Sequence, residues 1–355
     1  MKLSKKLRSS VFMGLVILVI IVYLVIRPYY DFFTKTVRVS PLKTLVGLDG
    51  VRAIDQETNI LILGIAGGDH DGPNLSDSII IANYNQKKNR LITVNIPRDI
   101  WSDTLHDRIN SAYAYGEEKL KGGGLRLAKA EVGAIYGMPI QYGAVVNFNG
   151  FDELIDYFGG VDVDVQRSFT DHQYPITGRE NDLCGGSDPD YKCRYETATF
   201  TKGRRHMDGK IALKFVRSRH AEGAEGSDFA RGQRQQQVIL AIKDKMGRIV
   251  KSMDLQKIKK LYENLDTVVL RDISNQQVSS LVKKIILRKN FYQKNFHLDQ
   301  EVFEVPNYGL YDGKYVLIPR SADFTDIHSY IRCLLDKESE SACISLIQKG
   351  DKNNK

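Results

Sequence analysis

Between Val11 and Ile26 the chain carries no charged residue and is apolar almost throughout. A helix that is apolar all round must lie inside a core or inside lipid. From Arg8 to Arg27 it would cover roughly 27 Å at the α-helical rise, against a bilayer core of about 30 Å. Slight thinning or snorkelling ends close that gap. The competing reading is a cleaved signal peptide. Arg27-Pro28-Tyr29-Tyr30-Asp31-Phe32 offers no small-x-small cleavage pattern, which favours a retained anchor. Lys2, Lys5, Lys6 and Arg8 precede the run and point to a cytoplasmic N-terminus. Lys35, Arg38 and Lys43 follow it, so orientation rests on charge density. The expectation is a single-pass cell-membrane protein with an extracytoplasmic domain.

The four cysteines form two close pairs in sequence, Cys184 with Cys193 and Cys333 with Cys343. The absence of C-x-x-C argues against zinc and thioredoxin chemistry. In an exported domain such pairs read as disulfides, with free thiols as the alternative. The net charge of +8 suits an anionic partner: a membrane surface, nucleic acid or a phosphorylated substrate. Nucleic acid is set aside, because the basic residues stand beside acidic ones outside the membrane and no recognised nucleic-acid motif is present.

After a linker-like stretch from Pro28 to about Thr58, Asn59-Ile-Leu-Ile-Leu-Gly64 reads as a strand buried on both faces. Ile79 to Ala82 and Leu91 to Ile96 are further strands, as is Ala144 to Phe148. Helices are expected over Leu125 to Tyr136, from a cap at Asn149 to Tyr157, over Asp208 to Lys214, and from Ser227 to about Val250. Three more follow, over 254–265, 274–287 and 324–335. Val161 to Val165 alternates and reads as a half-exposed strand. Ser168 to Lys202 reads as an irregular excursion pinned by the first cysteine pair. Phe215 to Arg219 reads as extended, and Lys314 to Pro319 as a late strand.

Four segments place charge beside these strands. Leu75-Ser-Asp77 offers a carboxylate to a hard cation, or a turn capping its own backbone. Asn95-Ile-Pro97-Arg98-Asp99 delivers an arginine and an aspartate to a strand end, where ligands gather in α/β sheets. His106-Asp107-Arg108 follows one loop later. The strongest is Lys214-Phe-Val-Arg217-Ser-Arg219 with Ser227-Asp228-Phe-Ala-Arg231-Gly-Gln-Arg-Gln235. In an extended segment Arg217 and Arg219 share a face, and on the helix Asp228, Arg231 and Gln235 form one stripe. Arginine forks grip phosphate oxygens bidentately. The competing reading is a solvated basic face.

In order, Asn-Ile-Leu-Ile-Leu-Gly (59–64), Ser-Asp-Ser-Ile (76–79), Asn-Ile-Pro-Arg-Asp (95–99), Arg-Ile-Asn-Ser-Ala-Tyr (108–113), Val-Asn-Phe-Asn-Gly-Phe (146–151), Gly-Gly-Val-Asp-Val (159–163), Met-Asp-Gly-Lys-Ile-Ala-Leu-Lys-Phe-Val-Arg-Ser-Arg (207–219) and Asp-Phe-Ala-Arg-Gly-Gln-Arg-Gln (228–235) resemble the LytR-CpsA-Psr family, once called the cell-envelope-related transcriptional attenuator domain. The resemblance implies an α/β/α layered domain with a central mixed β-sheet, here preceded by one N-terminal transmembrane helix. It divides the chain into a basic cytoplasmic tail (1–10), an anchor (11–27), a linker (28–58), a catalytic domain (59–246) and a C-terminal region (247–355) that completes the same domain. A separate accessory domain is the alternative for that last region.

By the same resemblance the activity is a phosphotransfer that moves a glycopolymer from a polyprenyl pyrophosphate to peptidoglycan as a phosphodiester, near membrane lipid. The polymer is a teichoic acid, a capsule or a similar glycan. A deep apolar channel would hold the prenyl tail. Asp77 would hold Mg²⁺, with Mn²⁺ as the alternative ion. Arg98, Arg108, Arg217, Arg219 and Arg231 would contact the phosphates, supported by Gln235. Asp99 and Asp228 would orient the arginines or assist metal and base work. Many members follow the first strand with Gly-x-Asp, whereas Gly64-Ile65-Ala66 lacks that carboxylate; either Asp69 or Asp71 replaces it, or the metal is held by one carboxylate and the pyrophosphate itself. The other functions weighed are a non-catalytic envelope regulator or lipid binder, and a polyprenyl-pyrophosphate hydrolase.

Overall fold

The computed structural model describes residues 5–47, 50–67, 72–179, 181–186, 188–287, 291–298, 301–321 and 323–345. The apolar run lies inside α1 (Lys5–Asp31), a candidate membrane span by length and composition. A π-helical turn, Phe32–Thr36, and the short helix α2 (Pro41–Val46) follow. Ser40 caps α2 and Pro41 opens it, a position where a missing N–H costs nothing. The stretch that read as a linker is docked on the domain. Asn275 Nδ2 donates to the Val37 carbonyl at 2.8 Å, and Ser40 N donates to Gln276 Oε1 at 2.9 Å. Lys283 Nζ donates to the carbonyls of Thr44 and Leu45, while Phe32 and Val39 are buried.

The central sheet begins with β1 (Glu57–Ile65), β2 (Ser76–Asn85) and β3 (Arg90–Ile96), an antiparallel meander. A small ladder of β4 (Trp101–Ser102) and β5 (Asp107–Arg108) leads to α3 (Ala112–Lys119) and α4 (Gly124–Tyr136). Next, β6 (Tyr142–Asn147) pairs parallel with β1. Then come α5 (Phe151–Tyr157), β7 (Val161–Val165), the hairpin of β8 (Phe169–Pro175) with β9 (Tyr195–Phe200), β10 (Gly203–Met207), α6 (Gly209–Arg217) and α7 (Asp228–Lys251). The chain continues through α8 (Leu255–Val268), β11 (Val269–Arg271), α9 (Asn275–Leu287), β12 (Tyr292–His297), β13 (Phe303–Glu304), β14 (Ile318–Pro319) and α10 (Thr325–Lys337).

The sheet order is β11-β6-β1-β2-β3-β12, with β12 parallel to β3, so the sheet is mixed. Residues two apart face one side. Leu61, Leu63, Ile79, Ile81, Val94 and Val145 pack on Leu125, Val132 and Ile135 of α4 and on Ile331 and Leu334 of α10. On the other side a second core joins the β7 valines, Phe169, Phe200, Phe215 and Val238. Helices therefore cover both faces, giving the expected α/β/α layering. Both edge strands of the sheet come from residues beyond 246, and α10 belongs to its core. Each cysteine pair is a disulfide: Cys184–Cys193 closes the tip of the β8–β9 hairpin and Cys333–Cys343 ties α10 to the segment after it.

Several local expectations are corrected. Residues 168–202 form the β8–β9 hairpin, because Phe169 and Phe200 stack and bury one of its faces. Phe215 to Arg217 is helical. Asp208 caps α6 by accepting from Ile211 N at 2.8 Å, and Ala212, Phe215 and Val216 form one buried helical face. That period of 3.6 overrides the apparent alternation. Gly150, not Asn149, precedes α5, and no side chain caps it. Of Lys314 to Pro319 only Ile318–Pro319 forms a strand. One backbone approach is tight: a Cβ on Gly209 would lie 2.2 Å from the Asp152 carbonyl oxygen. Gly209→Ala is expected to lower stability by about 1–3 kcal/mol, as overpacking does, measurable by denaturant unfolding.

Candidate functional site

Antiparallel pairing of β2 with β3 sets the start of one beside the end of the other. Asp77 enters β2 at the edge of the sheet where Pro97 stops β3 and releases Arg98 and Asp99. Arg98 Nη1 lies 2.6 Å from Asp77 Oδ1, and Arg98 Nε lies 3.5 Å from Asp99 Oδ2. Arg108 Nη1 donates to Asp99 Oδ1 at 3.2 Å. Asp99 is only 4% exposed, so its carboxylate is a buried strut between two guanidinium groups. Arg98 Nε and Arg108 Nε are buried and make no hydrogen bond to the described residues.

From the opposite side, α7 delivers two more groups. Arg231 is buried and its Nη2 lies 3.5 Å from the Asp77 carbonyl oxygen. One turn later Ser78 Oγ donates to Gln235 Oε1 at 3.1 Å. Close approach is permitted by Gly232, where a Cβ would meet His297 at 3.0 Å. Asp77, Arg98, Asp99, Arg108, Arg231 and Gln235, spread over 159 positions of sequence, thus form one linked cluster.

Arg217 and Arg219 are placed differently. Arg217 ends α6, Ser218 is its cap and Arg219 follows, so the shared face of an extended pair is not formed. Arg217 is half-buried and Arg219 exposed, and neither makes an ion pair with a described residue. No described contact joins them to the Asp77 cluster. They meet α7 one turn from Arg231, through Arg234, a residue whose role sequence reasoning missed. Arg234 Nη2 donates to the Ser218 carbonyl at 2.6 Å and Nε to the Phe215 carbonyl at 3.0 Å. Its Nη1 bonds the Glu225 carbonyl at 2.9 Å and the Glu225 carboxylate at 3.1 Å. The guanidinium also lies 4.6 Å from the Phe169 ring centroid. Burial lowers its pKa, and Glu225 opposes that shift. Asp171, equally unforeseen and 1% exposed, accepts from Arg219 N at 3.0 Å and His220 N at 3.2 Å.

Asp107, beside Arg108, accepts from Tyr115 Oη at 2.7 Å and Lys314 Nζ at 2.9 Å. Burial raises its pKa, but those bonds and one from Arg108 N outweigh that and hold it below the ordinary carboxylate value. Asp69, Asp71 and the side chain of Asp228 lie outside the described residues.

On the face that α7 crosses, Ile62, Ile80, Ala144 and Val146 are register neighbours, and Ile62, Ala144 and Val146 keep partial exposure. They share this face with Ser78, which lies two positions before Ile80 and bonds Gln235. A cavity of about 460 Å³ opens elsewhere, at the β11 edge, and none of the clustered arginines lines it.

The family model LytR_cpsA_psr matches residues 35–328. A similar protein, the polyisoprenyl-teichoic acid–peptidoglycan teichoic acid transferase TagU of Bacillus cereus, is 34% identical over 192 residues, covering 53% of this chain and 52% of its own. That of Bacillus mycoides is 32% identical over 211 residues, covering 57% and 58%. The chain spans about half the length of these relatives. The fold is shared with B. subtilis TagV, at TM-score 0.53, 23% identity and coverage of 80% of this chain and 99% of that one. It is also shared with TagT bound to LI-WTA, at TM-score 0.51, 21% identity and coverage of 80% and 94%. Matched by the family model over most of its length, with the 76–79, 95–99, 108–113 and 228–235 motifs meeting where β2 begins and β3 ends, the chain belongs to the LytR-CpsA-Psr family.

Proposed function

We propose that this chain is a phosphotransferase that joins a polyprenyl-pyrophosphate-linked glycopolymer to peptidoglycan. The single observation carrying this reading is the convergence of Arg98 and Arg108 on the Asp77–Asp99 carboxylates, with Arg231 at the Asp77 carbonyl, on a sheet that carries partly buried apolar residues on its α7 face. A pyrophosphate with a long hydrocarbon tail matches both halves of that arrangement. Each charge-assisted bond to a phosphate oxygen contributes about 1.5–3 kcal/mol. The transferase names of relatives from two Bacillus species support the same reading.

In the reaction, a hydroxyl oxygen of a peptidoglycan sugar attacks the phosphorus nearest the glycan. A new P–O bond forms, the bond to the bridging oxygen breaks, and polyprenyl phosphate leaves with that oxygen. The hydroxyl proton passes to a base. The arginines hold the pyrophosphate and balance charge on the transferring group. Asp99 keeps Arg98 and Arg108 aimed, and Arg217 and Arg219, on a backbone corner held by Arg234 and Asp171 one turn of α7 from Arg231, would add cationic charge.

Asp77 is the described residue suited to Mg²⁺, or to Mn²⁺ in its place. One carboxylate oxygen meets Arg98, the side chain is 29% exposed, and Mg²⁺ is commonly held by one or two carboxylates plus substrate phosphates. When bound, such an ion supplies Lewis-acid stabilisation of phosphoryl oxygens. We place α1 in the cell membrane with its N-terminus cytoplasmic, which keeps the site beside a lipid-borne donor.

The test uses the full chain in detergent micelles with a labelled glycan-pyrophosphate-prenol and soluble peptidoglycan. The expected products are a phosphodiester-linked conjugate and polyprenyl monophosphate in equal amounts. Binding without turnover would identify a regulator or binder instead. Inorganic phosphate or free glycan released without acceptor would identify a hydrolase.

A further inference from the structure

A second surface adjoins the arginine cluster, built by the C-terminal segment. Leu317 N donates to the Asp99 carbonyl and Trp101 N to the Leu317 carbonyl, each at 2.9 Å. This clamps residues 311–317 against the loop that carries Asp99. Trp101 pairs with Arg108 across the β4–β5 ladder, so their side chains project on the same face. The indole is fixed twice: its Nε1 donates to Asp103 Oδ1 at 2.9 Å, and the Tyr311 ring meets it edge-on with centroids 5.0 Å apart. Trp101 and Tyr311 nevertheless stay half-exposed. Asp103 stands at the indole edge, while Tyr115 and Lys314 meet at Asp107, the residue next to Arg108.

We infer that Trp101 and Tyr311 form a platform for the acceptor glycan, an N-acetylhexosamine strand of the cell wall, beside Arg108. The inference rests on the proposed transferase reading for its choice of ligand. A pyranose ring presents an apolar C–H face and a polar rim. A rigid aromatic pair with a carboxylate at its edge and the Arg108 guanidinium on the same face complements both, and it loses little conformational entropy on binding. The platform adjoins the phosphate cluster through Arg108, whose guanidinium contacts Asp99 while its ladder partner is Trp101. A sugar stacked there would bring its hydroxyls to the edge of the phosphate site.

Trp101 is the chain's single tryptophan, so its fluorescence reads this surface alone. The full chain in micelles is titrated with a soluble, uncross-linked peptidoglycan glycan, with maltotetraose as control. A saturable emission shift with the wall glycan only is expected, and Tyr311→Ala should weaken it about tenfold. In transfer assays Trp101→Phe should raise the acceptor KM by several-fold while leaving donor affinity within about twofold. No shift at millimolar glycan, or an equal shift with maltotetraose, overturns the platform. Native mass spectrometry with undecaprenyl pyrophosphate separates the two ideas. Lipid retained with a silent Trp101 refutes the platform and spares the transferase reading. A Trp101 response without lipid binding supports the platform and refutes the donor.

Discussion

Replacing Arg98 with alanine is expected to reduce glycopolymer transfer by about 10²–10³-fold, the cost of losing one preorganised donor to a developing anion. Arg98 also touches both Asp77 and Asp99. Its loss leaves the buried Asp99 carboxylate with less compensation, and breaking such a pair costs about 3–5 kcal/mol. Transfer rates and thermal unfolding of the same preparation measure the two effects. Arg98→Lys restores the charge but cannot span both carboxylates from one planar fork. It should recover stability more than activity. Wild-type transfer in Arg98→Ala would remove Arg98 from the donor site.

The second large effect belongs to Arg234. Its side chain satisfies three main-chain carbonyls and the Glu225 carboxylate, and it is 3% exposed. Arg234→Ala strands those carbonyls at the corner where α6 ends and should cost about 3–5 kcal/mol. That corresponds to a Tm loss of roughly 10 °C for a domain of this size. The backbone corner that carries Arg217 and Arg219 should lose its fixed position, so in the proposed reading donor affinity should fall even well below the new Tm. Unchanged pyrophosphate-lipid binding at 20 °C would show that this corner does not serve the donor.

The sheet was legible where residues are apolar on both faces. Asn59 to Gly64, Ile79 to Ala82 and Leu91 to Ile96 each lie within a central strand. Its edges were not: β12 reads Tyr-Gln-Lys-Asn-Phe-His, with only Phe296 fully buried, so no apolar run marks it. At the site, the sequence named the arginines and carboxylates because their motifs keep a fixed order. It did not reveal which guanidinium serves structure. Arg231 and Arg234 stand one turn apart in the same motif, yet one faces Asp77 and the other the α6 corner. They are i, i+3 neighbours on α7, so periodicity alone does not tell them apart; what separates them is that α6 runs through Arg217 and brings the Phe215 and Ser218 carbonyls to Arg234. Asp171 was invisible for a simpler reason: its partners are main-chain N–H groups, which no side-chain pattern records.

The segment after α1 is fastened to α9 by Asn275, Gln276 and Lys283. With α1 in lipid, the domain cannot swing like a tethered ball. In the proposed reading this would hold the Asp77 cluster at a set elevation over the bilayer, and an acceptor glycan would have to descend to meet it. Adding residues between Gly47 and Glu57 would leave that elevation unchanged, since the fastening lies upstream; setting the domain loose would take the loss of the Asn275, Gln276 and Lys283 contacts together with the burial of Phe32 and Val39.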